Sequence, residues 1–460
     1  MTKYWADLKL PHENVCAVSP STPRLRSLEQ LVNYAYTGSR ERFREASAPI
    51  ARRPQPKLRV EMTRGRDNHR SNPALKSDRQ TGLGVEIRPV ASRRDLEAFV
   101  DLPWSIYARD PLWVPPLRME VKSFLDRRHQ PFYRHGDATQ FLAARDGKVV
   151  GRILVSDDPR YNQEHQANVG CFGMYESVDD LAVAAALLNA AAAWLHARGR
   201  TSIMGPIDYS TNYACGLLID GFDTPPRVLM NHHRPYYARL LESWGLAKVR
   251  DLYAWWFVDP HDMLARWRGL AEKLARRSGV TVRPISFGGD FEADVARCLE
   301  VYNASWEKSW GFVKMTDEEF HHLAGRLKQL ASEDLILLAE VEGRPVGFSL
   351  TLPDSNEALR PLNGRLTRWG LPIGLAKYLY YSRRIKTARM AVLGMLEPYR
   401  RRGISELLIL RTLDVGKNKL GYNSAELSWT LEDNDLINRT IEKVGGQRYK
   451  TYRIYERSIA

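Results

Sequence analysis

Two tandem copies of one α/β (α+β) unit are predicted, on three observations. Segments 195 to 196 residues apart match one another. The order of expected strands and helices is the same on both sides of that offset. Each side also carries one long amphipathic helix that follows closely on a strand.

At 460 residues the chain is long enough for two or three domains with large apolar cores, so neither a metal nor disulfides are needed to hold it. Its four cysteines, Cys16, Cys171, Cys215 and Cys298, form no CxxC pair, which argues against a zinc ribbon, a redox motif or a disulfide scaffold. The start MTKYWADLKLPHENV lacks the pattern of a signal peptide, and no stretch approaches the ~20 apolar residues that span a bilayer. A soluble, cytoplasmic protein is therefore expected.

Residues 1–82 form a head segment with 16 Lys/Arg against 8 Asp/Glu, which accounts for +8 of the formal charge of +14. Rich in Arg, Pro, Ser and Asn, it carries too little apolar surface to offset the entropy of ordering and is expected to be mostly disordered, with helical spacing only at Leu25 to Phe43. A solvated basic tail is the expectation, with no specific nucleic acid.

The two copies occupy residues 83–260 and 261–460. Gly84-Val85-Glu86-Ile87-Arg88-Pro89-Val90 matches Gly279-Val280-Thr281-Val282-Arg283-Pro284-Ile285, and both read as a first strand. FLAARDGKVVGRILV, from Phe141, matches LLAEVEGRPVGFSLT, from Leu337, each two strands joined by a tight turn at Gly147 or Gly343. A further strand and a long helix follow, about Asp180 to Arg198 in the first copy and about Ser405 to Leu420 in the second, stopped by Gly199 and Gly421. Finally RLLESWGLAK resembles RTIEKVGGQR, a short helix capped by Gly245 or Gly445 and leading into a last strand.

The chemistry centres on the turn after the strand Arg389 to Met395. The strand runs into LEPYRRRGIS and then directly into a helix, which points backbone N–H groups and the positive helix end at one spot, an arrangement suited to a diphosphate. Gly403 permits close approach, and Arg400, Arg401 and Arg402 add charge. Taken alone, the same residues also fit a solvated basic turn capped by Ser405.

Arg400-x-x-Gly403-x-Ser405, preceded by a strand and by Pro398-Tyr399, resembles the acyl-CoA loop of the GNAT acyltransferases, and TLEDNDLINRTIEKVGG resembles that family's next strand and short helix, with Asn434 and Gly445 on the matching Asn and Gly. The resemblance covers about 279–457 and extends more weakly to 84–258. It implies two GNAT-like units, each a mixed, mostly antiparallel sheet flanked by helices, with central strands that splay apart. It also implies acetyl-CoA or a longer acyl-CoA as co-substrate, no metal, and direct acyl transfer to a small-molecule or peptide amine. The cofactor residues it implies are Leu393, Gly394, Met395, Arg400, Arg401, Arg402, Gly403, Ile404, Ser405 and Asn434. Ile441 stands where many members carry the Tyr that protonates the thiolate, and Gly446 replaces an expected Phe. Tyr449, Tyr452 or water is left as the acid, with Tyr449 preferred, and Glu426 is preferred as base over Glu340 and Glu432.

In the first copy the equivalent turn, Glu176-Ser177-Val178-Asp179-Asp180, has no Gly or Arg, and its carboxylates would repel a diphosphate; ordinary helix capping by Asp179 and Asp180 is expected instead. The stretch GPIDYSTNYACGLLIDGFDTPPRVLMNHHRPYY follows, in which Asp208, Tyr209 and Asn212 are candidates for the acceptor site and adjacent His232 and His233 are not expected to bind metal. The second copy has an insertion with eight basic and no acidic residues between Arg360 and Arg389, interleaved with Leu, Trp and Tyr, expected to recognise an anionic or lipid-like acceptor, to lie on a membrane surface as a weak anionic-surface contact, or to form a solvated lid. Two other readings of the chain are a tRNA-dependent aminoacyl-transferase, against which the Arg/Gly loop counts, and a non-catalytic acyl-CoA-binding module.

Overall fold

The computed structural model describes residues 84–258 and 279–460, with Gly269, Lys273, Arg276 and Arg277 between them. The head segment and the helix expected at Leu25 to Phe43 lie outside the described residues.

Thirteen strands join one sheet: β1 (Glu86–Pro89), β2 (Asp137–Arg145), β3 (Lys148–Asp157), β4 (Val169–Ser177), β5 (Ser202–Gly205), β6 (Leu217–Asp220), β7 (Ala247–Phe257), β8 (Val280–Pro284), β9 (Ile336–Val341), β10 (Arg344–Pro353), β11 (Thr387–Met395), β12 (Ser424–Leu431) and β13 (Gln447–Ser458). The matched segments fold alike. Asp146-Gly147 and Glu342-Gly343 turn β2 into β3 and β9 into β10 with positive φ at both central residues, the geometry a two-residue hairpin requires. Among the described pairs only β4·β5 and β11·β12 are parallel.

The strand order is β1-β2-β3-β4-β5-β13-β7-β12-β11-β10-β9-β8, with β6 also beside β13. The last strand of each copy has therefore crossed into the other: β13 pairs with β5, β7 pairs with β12, and the two run antiparallel to each other at the centre from Gln447↔Trp256 to Glu456↔Ala247. Both crossing strands carry buried residues on both faces, such as Leu252, Ala254 and Trp255 or Tyr452, Ile454 and Tyr455, which suits strands covered on each side.

Helices cover the two faces. Leu181–His196 buries Val183, Leu187, Leu188, Ala191 and Leu195 in the core of the first copy. Its counterpart Ile404–Asp414 sets Ile404 and Leu408 against Leu337, Ala339 and Val346 of β9 and β10. That helix then widens into a π-helical turn at Val415–Lys419 before Gly421, so the stretch expected as one helix to Leu420 changes its winding near the end. On the opposite face Phe291–Trp306 packs Val295, Cys298 and Val301 onto Leu338 and Phe348. Arg283 of β8 fixes this helix by pairing with Asp294 at 2.7 Å and with Glu340 at 3.0 Å, and its hydrogen bonds hold the Asp294 carboxyl at about 2. None of the described helices is long and apolar enough to cross a membrane.

Candidate active site

β11 and β12 pair only from Thr387↔Ser424 to Arg389↔Glu426 and then part. Two irregularities open the gap. The register of β10 against β11 skips Ala391, and that of β12 against β7 skips Leu427 and Ser428, the latter at φ 60°. The result is a V-shaped cleft whose one wall is the free edge of β11, residues Ala391–Met395. Gly394 lies against the end of helix Phe291–Trp306, where a Cβ would come within 2.8 Å of the Trp306 ring and 3.1 Å of Ser305 Oγ. That hydroxyl is buried and has no hydrogen-bond partner among the described residues.

At the far end of β11 a single turn, Glu397–Tyr399, leads to helix Ile404–Asp414. Arg401 and Gly403 both take positive φ, 64° and 80°, and Gly403 is the N-cap residue. Among the described residues no side chain caps the helix, so its first N–H groups are left open at its positive end. Arg400 braces the loop by donating from Nη2 to the Ser305 carbonyl at 2.9 Å, while Arg402 lies 4.9 Å from the Tyr399 ring. Ser405 turns its hydroxyl to Glu406 at 2.9 Å, away from a capping role.

The first copy builds the same strand–turn–helix unit and closes it. Asp180 caps helix Leu181–His196, its carboxylate accepting from the N–H of Ala182 at 2.8 Å and of Val183 at 3.2 Å. Arg145 pairs with Asp180 at 2.7 Å. An anion thus already occupies the helix end that is open in the second copy.

Behind the root of the V lies a buried polar cluster. Glu426 is fully buried, with Oε2 accepting from Arg389 Nε at 2.6 Å, while Arg389 Nη2 donates to Ser428 Oγ at 3.1 Å. The other oxygen, Oε1, has no partner among the described residues, nor has the buried hydroxyl of Tyr449. Burial raises the Glu426 carboxyl above its ordinary range, and Arg389 offsets part of the effect. Burial, with the Glu426 charge nearby, likewise drives the Tyr449 hydroxyl well up. Around them, Arg227 pairs with Asp354 at 3.1 Å and stacks on Trp256 at 4.4 Å. Lys450 donates to the carbonyls of Thr224, at 2.9 Å, and Gly221; burial lowers its ammonium to about 8.

Two curated proteins match most of this chain. "Bacterial ceramide synthase" of Caulobacter vibrioides (strain NA1000 / CB15N) is 36% identical over 388 residues, 82% of this chain and 99% of that protein. "Protein YghO" of Escherichia coli (strain K12) is 34% identical over 379 residues, 81% of this chain and 95% of that protein. Among solved structures, a tandem GNAT protein from the clavulanic acid biosynthesis pathway superposes with a TM-score of 0.50 at 12% identity, over 82% of this chain and 99% of that one. The chain belongs to one family with these two curated proteins, and its fold is that of a tandem GNAT protein. A search of protein-family profiles finds no match.

Within this tandem GNAT fold the residues expected from the sequence are distributed unevenly. Leu393, Gly394 and Met395 lie on the free edge of β11, and Arg400 to Ser405 form the loop that faces it. Ile404 contributes only backbone there, since its side chain is buried. Asn434 is the N-cap of helix Asp435–Lys443, its side chain accepting from Ile437 N–H at 3.5 Å. The changes at 441 and 446 belong together: a Cβ on Gly446 would collide with Ile441. Of the three candidate bases, Glu340 is held by Arg283, and Glu432 by Lys248 at 2.6 Å and by the Asp251 N–H at 3.1 Å, whereas Glu426 keeps one oxygen unpartnered. Tyr452 donates to the Asn231 carbonyl at 3.2 Å, and the Tyr449 hydroxyl is unpartnered.

Tyr209 is buried in an aromatic cluster with Phe124, Phe132 and Tyr213, its hydroxyl bonded to the Phe124 carbonyl at 3.0 Å. Asn212 bridges the copies, accepting from Tyr302 at 2.8 Å and donating to the Val313 carbonyl at 2.8 Å. Asp208 accepts from the Met174 N–H at 2.8 Å. Glu176, expected as part of a capping turn, points inward instead because strand β4 extends to Ser177; its Oε2 accepts from Tyr237 at 2.6 Å and Tyr107 at 2.9 Å. Nor do the two histidines share a ligand geometry: His232 meets Asp110 at 3.0 Å, and His233 accepts from the Leu218 N–H at 3.0 Å. No cluster suited to a metal occurs among the described residues. Arg389, Arg227, Asp354 and Lys450 were not singled out from the sequence. An arginine inside the otherwise apolar run ARMAVLGM was the signal for the first of them.

Burial raises the Asp208 carboxyl from 3.8 to about 6. A raised acid stabilises the fold below its unfolded value and loses that contribution as pH rises through the folded one. Asp208→Asn should therefore gain stability relative to the parent between pH 4 and pH 7, on the order of 2–3 kcal/mol. Urea unfolding at both pH values measures the difference, and a difference that does not change with pH would refute the assignment.

Proposed function

We propose that this protein transfers a long acyl chain from CoA directly to the amine of a long-chain amino alcohol, a sphingoid-type base. The observation that carries the reading is the open end of helix Ile404–Asp414, set beside its Asp180-capped twin. One copy keeps an anion site next to a splayed strand pair; the other has filled its own with a carboxylate. The 36% identity to a protein named bacterial ceramide synthase supports the acyl length and the acceptor class, because a ceramide is an N-acylated sphingoid base. The acyl-CoA donor and the buried free thiols of Cys171, Cys215 and Cys298 fit a reducing cytoplasm.

The residues fit acyl-CoA as follows. The N–H groups of Ile404 and its neighbours, with exposed Arg401 and Arg402, hold the diphosphate. The free edge of β11 orders the pantetheine arm, and the thioester lies in the V beside Ala391. Glu426 Oε1 takes a proton from the incoming ammonium, a role that its raised affinity for protons favours. The amine nitrogen then bonds the acyl carbon as the carbon–sulfur bond breaks, and the second proton that the nitrogen sheds on becoming an amide passes to solvent. Tyr449 donates its hydroxyl proton to the departing thiolate and is reprotonated by the proton first collected at Glu426. Arg389 holds Glu426 in place.

Thiol release measured with palmitoyl-CoA and sphinganine, against acetyl-CoA and a short amine, tests the substrate class. The long pair is expected to react and the short pair to react far more slowly. Glu426→Gln should lower the turnover of the long pair by about 10²–10³-fold while leaving acyl-CoA affinity unchanged. Full activity of that variant would remove Glu426 from the mechanism, and no turnover of the long pair by the parent would remove the substrate assignment.

A further inference from the structure

The insertion between β10 and β11 is fixed at its root and bare at its tip. At the root, Asn363 accepts from Trp104 Nε1 at 2.7 Å through its side chain and from Arg118 Nη1 at 3.1 Å through its carbonyl. The Arg118 N–H meets the Gly364 carbonyl at 3.1 Å, and Arg360 reaches the Pro111 carbonyl. Gly364 has φ 73° and lies so close to the Trp104 ring that a Cβ would collide with it. Leu362 and Leu375 are buried. The insertion is therefore packed onto the first copy, and its exposed face is held in a set orientation.

Beyond this root the chain turns tightly at Arg368–Leu371, with Trp369 and Gly370 both at positive φ, and continues into helix Ile373–Ser382. Trp369 is 80% exposed and Leu371 58%, and Tyr380 and Tyr381 are exposed on the helix. The first copy lacks the insertion and so has no counterpart of this turn. The same segment carries Arg365, Arg368, Lys377, Arg383, Arg384 and Lys386, all exposed and none in an ion pair among the described residues. Arg368 lies 4.3 Å from the Trp369 ring and Arg384 4.1 Å from that of Tyr380, so each aromatic carries a cation beside it. From Arg360 to Arg389 there is no acidic residue.

Tryptophan and tyrosine prefer the boundary between lipid headgroups and acyl chains, and arginine and lysine beside them pair with anionic headgroups. We infer that the Trp369–Leu371 turn and the exposed face of helix Ile373–Ser382 form a docking surface for an anionic lipid bilayer. The apolar tip enters the interface and the basic residues meet the phosphates. Nucleic acid would satisfy the charges but would leave Leu371 and the tip without a partner. The surface stands on its own geometry, independent of the acyl-transfer reading, although a protein seated there would meet long-chain substrates at their source.

Co-sedimentation of the full chain with vesicles tests this. The parent is expected to bind phosphatidylcholine vesicles containing about 30% phosphatidylglycerol, whose negative surface potential attracts basic segments. It should bind pure phosphatidylcholine weakly, and its binding should weaken as salt is raised. The double variant Trp369→Ser/Leu371→Ser changes only exposed side chains and leaves the basic head segment intact; its partition should fall about tenfold, with acyl-CoA affinity unchanged. Equal partition of parent and double variant would overturn the inference, because binding would then come from other basic residues. So would a parent that ignores anionic vesicles, or one that binds a tRNA mixture in their place.

Discussion

Replacing Gly403 by Glu is expected to weaken acyl-CoA binding by about 100-fold or more, on the order of 3 kcal/mol, while the protein stays folded. Two effects act together. Gly403 holds φ 80°, a region that a residue with a Cβ enters only under strain, and its conformation aims the loop at the end of helix Ile404–Asp414. The new carboxylate would also sit at the helix end proposed for the diphosphate, as Asp180 does in the first copy. Calorimetric titration with CoA and with acyl-CoA reads the loss, and a thermal melt confirms that the fold survives. Should the variant hold CoA as tightly as the parent, the open helix end is not the phosphate site.

A second large effect concerns the separated copies. Residues 261–460 expressed alone are expected to form no cooperative fold, although they contain the whole loop proposed to bind acyl-CoA. Strand β12 would lose β7, and β13 would lose β5, β6 and β7 together. That leaves Ala425, Glu426 and the stretch Trp429–Leu431 as an unpaired edge, with the buried faces of Tyr452, Ile454 and Tyr455 uncovered. The fragment should aggregate or melt without a transition, and co-expression with residues 83–260 should restore soluble material that binds CoA. A sharp unfolding transition and CoA binding by the isolated fragment would refute the dependence.

Much of the architecture was legible in the sequence because its signals are local. The Asp146-Gly147 and Glu342-Gly343 hairpins, the helix that ends before Gly199 and the strand–Arg/Gly–helix passage at 395–405 are each read from a few adjacent residues. The crossing of β7 and β13 was not legible. A strand's alternation of apolar and polar residues says that it joins a sheet, and is silent about which neighbour it joins. The same limit hid the buried cluster. Arg389 looked like one of eight surface cations, and only the parallel register Arg389↔Glu426 shows it facing a carboxylate. Tyr209 shows the converse: a polar, aromatic, glycine-punctuated stretch looks like a binding loop, yet its phenol is committed to the Phe124 carbonyl inside a ring cluster.

The central seam also bears on synthesis. Strands β5 and β7 have been synthesised by residue 257, but the strand that lies between them is not complete until residue 458. At ordinary elongation rates their hydrogen-bonding edges stay unmatched for about 10–40 s. The nascent amino-terminal copy is thus an obligate waiting intermediate with one edge of β5 and both edges of β7 exposed. Cellular yield should depend on holdase chaperones during translation more than on the stability of the finished protein.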